Sequence, residues 1–442
     1  MRVNKTRIVV LGGGFAGIHA VRELDRTFGR DPSVEVTLVN RENFFLFTPM
    51  LHEVAASDLD LTHIVNPIRK LARRCSFFHG ECIGIDLDAR TVKVAHGANA
   101  EHPHTLPYDH LVLALGGVTN FFGTPGVAER AYTMKSLGDA LALRNRLIEC
   151  MEEADFECCA SIRKPLLTCV VAGGGFAGVE TIAALHDFAL DALPFYRNLE
   201  PEHVRMVLVH SGDTILPELD QKLGRYAQRK LAGRGVEIRT KTRVKGCGEH
   251  GVELNDGTVI PAATVVWTAG TSAHPLIEGL PCLKERGRVC VDETLRVAGR
   301  EGVWALGDCA LVPDGRGGFH PPTAQHASRQ GTLLARNLAA AIRGRPLKPF
   351  RFRTLGQLAS LGRRRGAAQV SGLRFSGFVA WLLWRTIYLS KLPRFERKFR
   401  VALDWTLDLL FSKDLVHMPT TRERARPTAP EPEEACAVEA RP

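Results

Sequence analysis

Two segments of this chain are almost the same: Val-Val-Leu-Gly-Gly-Gly-Phe-Ala-Gly at 9–17 and Val-Val-Ala-Gly-Gly-Gly-Phe-Ala-Gly at 170–178. Each follows a β-branched apolar run and precedes a helix-compatible stretch, the strand–turn–helix setting that gives G-x-G-x-x-G its meaning. One such motif is weak, because three glycines also suit an ordinary tight turn. Two near-identical copies, each opening a βαβ pattern, point to two Rossmann-like units. A chain that holds two dinucleotides at once has an economical use for them, which is to pass electrons between them.

Within each loop the glycines have separable jobs. Gly12 and Gly173 allow the tight turn, Gly14 and Gly175 let the backbone approach a pyrophosphate, and Gly17 and Gly178 permit close helix–strand packing. Phe15-Ala16 and Phe176-Ala177 stand at the helix start, where free N–H groups and a partial positive charge meet an anion. The acid expected at the end of the following strand, to bind a ribose 2′-hydroxyl, is absent from both units. Asn40-Arg41 stands there in the first and His210-Ser211 in the second. Asn40 can still hydrogen-bond a hydroxyl. His210-Ser211 imposes no like-charge clash on a 2′-phosphate, so only a weak preference for NADH over NADPH is expected.

Three further groups stand out. Glu180, two residues past the second loop, is either a carboxylate stabilised by the helix dipole, worth about 0.3–1 kcal/mol, or a residue that orients a nicotinamide or relays a proton. Asp308, in Gly-Asp-Cys after an apolar strand, either accepts from a cofactor's ribityl chain or caps a helix. Gln325 and Gln330 lie in Pro-Pro-Thr-Ala-Gln-His-Ala-Ser-Arg-Gln-Gly, which reads as a helix start, where they face a flavin edge or solvent.

A chain of 442 residues exceeds one usual core. The first unit reads as strand 7–11, helix 16–28 and strand 34–40, with a later apolar strand at 111–116. The second repeats the plan as strand 167–172, helix 177–188, strand 205–209 and closing strand 264–268, followed by Ala269-Gly270. A last apolar strand in 302–308 suggests that the chain returns to the first sheet. The expected fold class is therefore α/β, with two Rossmann-like domains, the second inserted in the first, and C-terminal amphipathic membrane-association helices. The expected boundaries are 1–125 and 287–345 for the first domain, 126–286 for the second, 346–418 for the C-terminal region and 419–442 for a disordered tail. Residues 1–7 run straight into the first strand, which leaves no room for a signal or transit peptide. Eleven cysteines form no C-x-x-C pair and no zinc spacing, so they read as reduced thiols with no metal site.

The net charge of +10 is unevenly placed: 346–418 carries fourteen Lys/Arg against four Asp/Glu, so this segment alone is +10 and the remainder near neutral. Nucleic acid is one partner for such a region; an anionic lipid surface, at about 1 kcal/mol per basic residue, is the other. The apolar run 378–389 is too short to span a bilayer, which takes roughly 20 residues. With the helical stretch 395–413, where Phe399, Leu403, Thr406 and Leu410 can share a face, it suits an interfacial anchor. A dimer interface or a cap on the core fits the same pattern.

Taken together, the motifs resemble the type II NADH dehydrogenases, single-subunit NADH:quinone oxidoreductases that carry FAD and pump no protons. The resemblance covers about 6–418 and rests on Gly-Gly-Gly-Phe-Ala-Gly at 12–17, Leu-His-Glu at 51–53 and Leu-Ala-Leu-Gly-Gly-Val-Thr-Asn-Phe-Phe at 113–122. Gly-Val-Glu at 178–180, Leu-Gly-Asp at 306–308 and Ser-Gly-Phe-Val-Ala-Trp-Leu-Leu-Trp at 376–384 complete it. It implies that the first loop, with Asn40, Arg41, Leu51, Gly116, Asp308 and Ala324, holds FAD. The second, with His210, Ser211, Ala269 and Gly270, takes NADH, or NADPH. Glu180 becomes the expected catalytic residue. The family's quinone-side pattern Ala-Gln-x-Ala-x-Gln reads Ala-Gln-His-Ala-Ser-Arg at 324–329, so Gln325, Arg329 and the displaced Gln330 are the expected quinone-side residues. The resemblance also favours peripheral attachment to the cytoplasmic face of the cell membrane over nucleic acid, and suggests a homodimer. A sulfide:quinone oxidoreductase-like flavoprotein, using Cys159 or Cys309, and a non-enzymatic flavin- or NADH-sensing membrane-bound protein are the alternatives.

Overall fold

The apolar run that leads into each glycine motif is buried on both faces, the pattern of a parallel strand covered by helices. In the computed structural model, which describes residues 5–96 and 102–418, Thr6–Leu11 lies between Val34–Asn40 and His110–Leu113. Ser76–His79 and Val303–Ala305 complete a five-stranded parallel sheet. Val303 pairs with Leu111 and Ala305 with Leu113, so the chain does return to its first sheet after building a second. That second sheet has Thr168–Ala172 between Arg205–Val209 and Thr264–Trp267, with Val236–Arg239 outside.

An antiparallel pair, Gly117–Thr119 with Thr271–Ala273, ties the carboxyl ends of the two sheets together. Both glycine loops emerge at those ends, where open α/β sheets bind ligands. Behind the first loop the helix Ala324–Ile342 crosses Phe15–Phe28 at near backbone contact: a Cβ on Gly331 would run into the Ala16 carbonyl.

The C-terminal region departs from expectation in three ways. Its first part is a three-stranded antiparallel meander, Gly356–Ser360, Gly366–Val370 and Leu373–Ser376, absent from the sequence reading. The two helices follow as Gly377–Lys391 and Phe395–Leu407, the second ending well before residue 413. The segment's positive charge is not one outward face either. Lys413 is buried in an ion pair with Asp58, Arg363 pairs with Asp191 and Asp408, and Arg385 stacks between Trp381 and Trp405. A residue count registers net charge but not which charges the fold spends internally.

Among the described residues no helix is long and apolar enough to cross a membrane, and no group of three His, Cys, Asp or Glu is placed to hold a metal ion. All ten described cysteines are free thiols. Residues 1–4 and 419–442, with the expected chain start and tail, lie outside the described residues.

Candidate active site

The two glycine loops have the same construction. Gly12 (φ +102°) and Gly173 (φ +116°) take a backbone turn that side chains disfavour, and each donates its N–H at 2.9 Å to the carbonyl of the neighbouring strand, Val39 or Val209. A Cβ on Gly17 would strike the Gly12 carbonyl, and one on Gly178 the Gly173 carbonyl. The helix caps Gly14 and Gly175 carry no side chain to satisfy the first-turn N–H groups, which leaves those donors for an anion. A Cβ on Gly14 would meet nothing within 4 Å, so the cradle beside that loop is open to a pyrophosphate, as FAD requires.

The strand-end residues behave differently from expectation. Asn40 Oδ1 accepts from the Gly13 N–H at 2.7 Å and its Nδ2 donates to the Glu42 carbonyl at 2.7 Å, so both ends of the amide serve the protein rather than a ribose. His210 Nδ1 likewise accepts from the Gly174 N–H at 3.2 Å. Each strand end clamps the middle glycine of its own loop. Arg41 is exposed beside Glu42, and Ser211 is exposed.

Between the loops lies a cavity of about 480 Å³. The first unit lines it with Gly14, Phe15, Ala16, Leu51, Gly116 and Asp308, and the helix start adds Ala324. The second unit contributes Phe176, Ala177, Glu180 and Gly270. Gly12, Gly17, Gly173, Gly175, Gly178, Asn40, Arg41, His210, Ser211 and Ala269 do not line it; they shape the loops and strand ends beside it. Residues that the sequence did not single out also face this space, notably Thr48, Pro49, His52, Lys135 and Tyr388. Burial holds the Asp308 carboxyl above the usual carboxylate range, with the Lys135 and Arg288 charges opposing only in part.

Glu180 is 8% exposed, and its Oε1 accepts from the Ser360 N–H at 3.0 Å and the Trp384 Nε1–H at 2.8 Å. Burial pushes its carboxyl up to about 8 despite those donors. A second buried acid, Glu53, accepts from Trp405 Nε1 at 3.2 Å and is pushed up to about 8 by burial, with the Arg385 charge opposing. Each C-terminal helix thus inserts one indole N–H onto a buried carboxyl of the core.

These raised values have a stability consequence. An acid that ionises near 4.5 when unfolded and near 8 when folded contributes stability that is full below about pH 4.5 and lost as pH rises through about 8. Glu53→Gln removes one such group, so its melting temperature should fall less steeply than the parent's between about pH 5 and about 8. Parallel melting curves across that range would show that Glu53 titrates normally.

A second cavity, of about 800 Å³, is lined by Gln325, Arg329, Phe45, Phe47, Leu358 and Ile387, and it reaches Lys391 and Pro393 at the C-terminal helices. Gln325 is held there by the meander, donating to Gly356 O at 3.2 Å and accepting from Leu355 N at 3.3 Å. Arg329 donates to Gln325 O at 2.8 Å and lies 4.1 Å over the Phe352 ring. Gln330 does not join them. It is buried and accepts from the Gly307 N–H at 2.8 Å, because one step along a helix rotates it by about 100° toward the sheet. None of the described cysteines lines either cavity; Cys309 is buried behind them and Cys159 lies beside Ser161 near the surface.

Residues 6–331 match the pyridine nucleotide-disulphide oxidoreductase family and residues 355–414 the NDH2 C-terminal domain. The chain is 31% identical to the type II NADH:quinone oxidoreductase Ndh of Mycobacterium tuberculosis, over 92% of this chain and 89% of that one. It belongs to that family. A probable NADH dehydrogenase of Dictyostelium discoideum is also 31% identical, over 93% of this chain and 91% of its own. NDH2 of Plasmodium falciparum, solved with NADH, shares the family fold with a TM-score of 0.87 at 19% identity, covering 93% of this chain and all of that one. Family membership extends to the meander and paired helices, which lie inside the NDH2 C-terminal match.

Proposed function

We propose that the two cavities divide one reaction between them, with NADH oxidised in the smaller and a membrane quinone reduced in the larger. The chain is a type II NADH:quinone oxidoreductase that carries FAD and pumps no protons. The observation that carries the division is a shared wall: Phe15, Pro49, Phe176, Ala324 and Tyr388 line both cavities. Bound FAD supplies the two-electron carrier. Gly12, Gly14, Phe15, Ala16, Gly17, Gly116 and Asp308 would hold it, with Leu51 and Ala324 beside its ring. Gly173, Gly175, Phe176, Ala177 and Gly178, with Ala269-Gly270, would seat the nicotinamide dinucleotide so that its ring meets the flavin next to Glu180.

On this reading the flavin domain comprises 1–125 and 287–345, and 126–286 forms the nicotinamide domain. The sulfide alternative needs a cysteine in one of the cavities, and the described cysteines supply none. The exposed apolar faces of helices Gly377–Lys391 and Phe395–Leu407 would rest on the membrane at the mouth of the larger cavity, peripherally and on its cytoplasmic side.

Stopped-flow measurement tests the division. Purified protein should be yellow, bleach with NADH and recover colour with ubiquinone or menaquinone analogues. Arg329→Gln removes a cation that can stabilise charge growing on a quinone oxygen. It should slow recovery about fivefold while leaving bleaching within about twofold. A variant impaired in bleaching but normal in recovery would place the quinone elsewhere.

A further inference from the structure

The missing acid at the end of Arg205–Val209 has a substitute nearby in space. The segment after that strand is drawn back over the second glycine loop: the Leu216 N–H donates to the Gly174 carbonyl at 2.7 Å, and Leu219 N–H donates to Leu216 O at 2.9 Å. Leu216 takes a left-handed backbone conformation (φ +53°) to make this turn, with Ile215 and Leu216 both buried as anchors. The turn leaves Glu218 exposed above the loop. Its Oε1 lies 3.5 Å from where a Cβ on Gly175 would stand, and its charge also acts on His210.

Glu218 therefore stands beside Gly175, where the pyrophosphate would sit, and within electrostatic reach of His210 at the strand end. A ribose that joins the pyrophosphate to an adenine must cross this span. We propose that Glu218 sets the dinucleotide preference of the second loop, accepting from the adenosine ribose hydroxyl of NADH and repelling the 2′-phosphate of NADPH. The neighbouring cations do not offset it. Lys241 is paired with Asp213 at 3.3 Å and Arg239 with Glu237 at 2.6 Å. The weak preference for NADH expected from His210-Ser211 alone is thereby strengthened, because the carboxylate comes from a residue eight positions later that the fold returns to the neighbourhood of the strand end.

This inference rests on the second loop being the nicotinamide dinucleotide's, and the experiment separates the two. Holoenzyme and Glu218→Gln are compared for kcat/KM with NADH and with NADPH, read as flavin bleaching. Glutamine keeps an acceptor for the hydroxyl and loses the charge. The NADPH value should rise about tenfold or more while the NADH value moves less than about threefold. In the parent enzyme, discrimination against NADPH should also shrink as salt is raised past about 0.1 M, where the screening length falls to about 10 Å, and this dependence should weaken in the variant. An unchanged NADPH:NADH ratio in Glu218→Gln, with normal bleaching by NADH, overturns the proposal and leaves the loop assignment standing. The loop assignment has its own test in Gly175→Val, whose branched side chain would fill the pyrophosphate seat without striking the protein backbone. If that variant, with its flavin still bound, bleaches with NADH as the parent does, the assignment falls and the role of Glu218 falls with it.

Discussion

Glu180→Gln should bind FAD normally yet bleach with NADH at least about tenfold more slowly than the parent. The amide keeps the shape of the carboxyl and an oxygen for the Ser360 and Trp384 N–H donors, so the packing of this buried position has no reason to change. What is lost is a group whose ionisation burial has moved to about 8, close to working pH, which is where a proton-exchanging residue is most effective. The sign of the pH effect follows. Below about 8 the carboxyl is neutral. Above it the folded chain carries a buried negative charge, only partly offset by the Ser360 and Trp384 N–H donors, in the cavity that must receive hydride, so parent bleaching should slow as pH rises through about 8, and the glutamine variant should show no such step. Bleaching equal to the parent's and with the same pH profile would reduce Glu180 to a helix-stabilising carboxyl.

The parts of this molecule that were legible in sequence are those set by local chemistry. Strands Val34–Asn40 and Arg205–Val209 fall where the sequence places them, the second because Met206–Val209 is an apolar run buried on both faces, the first because Val34, Val36 and Leu38 alternate with the polar Glu35 and Thr37. The glycine loops were legible because Gly12, Gly17, Gly173 and Gly178 each answer a clash within a few residues or against the adjacent strand end, while Gly14 and Gly175 leave the cradle open. The meander at 356–376 was not. Its strands are short and rich in Gly, Ala and Gln, and they are held by pairing with one another rather than by a β-branched pattern.

Long-range pairings were equally silent. Glu180 lies 204 residues from Trp384, and Glu53 lies 352 from Trp405. Nothing in Leu-His-Glu announces that its acid waits for an indole at the far end of the chain. Lys135 and Tyr388 reach the cavity from a linker and from a run that read as part of an interfacial anchor, a dimer interface or a cap on the core. The Gln330 placement failed for a simpler reason: the residue type matched the family pattern, but a one-residue shift on a helix sends a side chain to a different face.

The exposed apolar stripe on the C-terminal helices carries the second large effect. On helix Phe395–Leu407 and the turn beyond it, Phe395, Phe399, Leu403, Leu407 and Leu410 are exposed, whereas Val401 and Trp405 face the core. Phe378, Val379 and Leu382 extend the exposed apolar surface on the preceding helix, whose Ala380 and Trp384 are buried. Exposed apolar side chains recurring at helical spacing on two adjacent helices have no partner among the described residues, and an acyl-chain boundary is the environment they suit. A smaller electrostatic share is expected from the basic residues, since Arg394 and Arg400 both lie against Glu396. Replacing Phe395, Phe399 and Leu403 together with Ser exchanges only exposed side chains, so folding and NADH-driven bleaching should persist. At about 1.5 kcal/mol or more per large apolar side chain withdrawn from the lipid boundary, vesicle partitioning should fall by about a thousandfold. Co-sedimentation with neutral and with anionic vesicles reads this directly. The charge-reversed set Arg394→Glu, Arg397→Glu, Lys398→Glu and Arg400→Glu should weaken binding only to anionic vesicles, and more at low salt than at high. If the serine triple variant still sediments like the parent while charge reversal releases the protein, the anchor is electrostatic and the apolar stripe serves another contact.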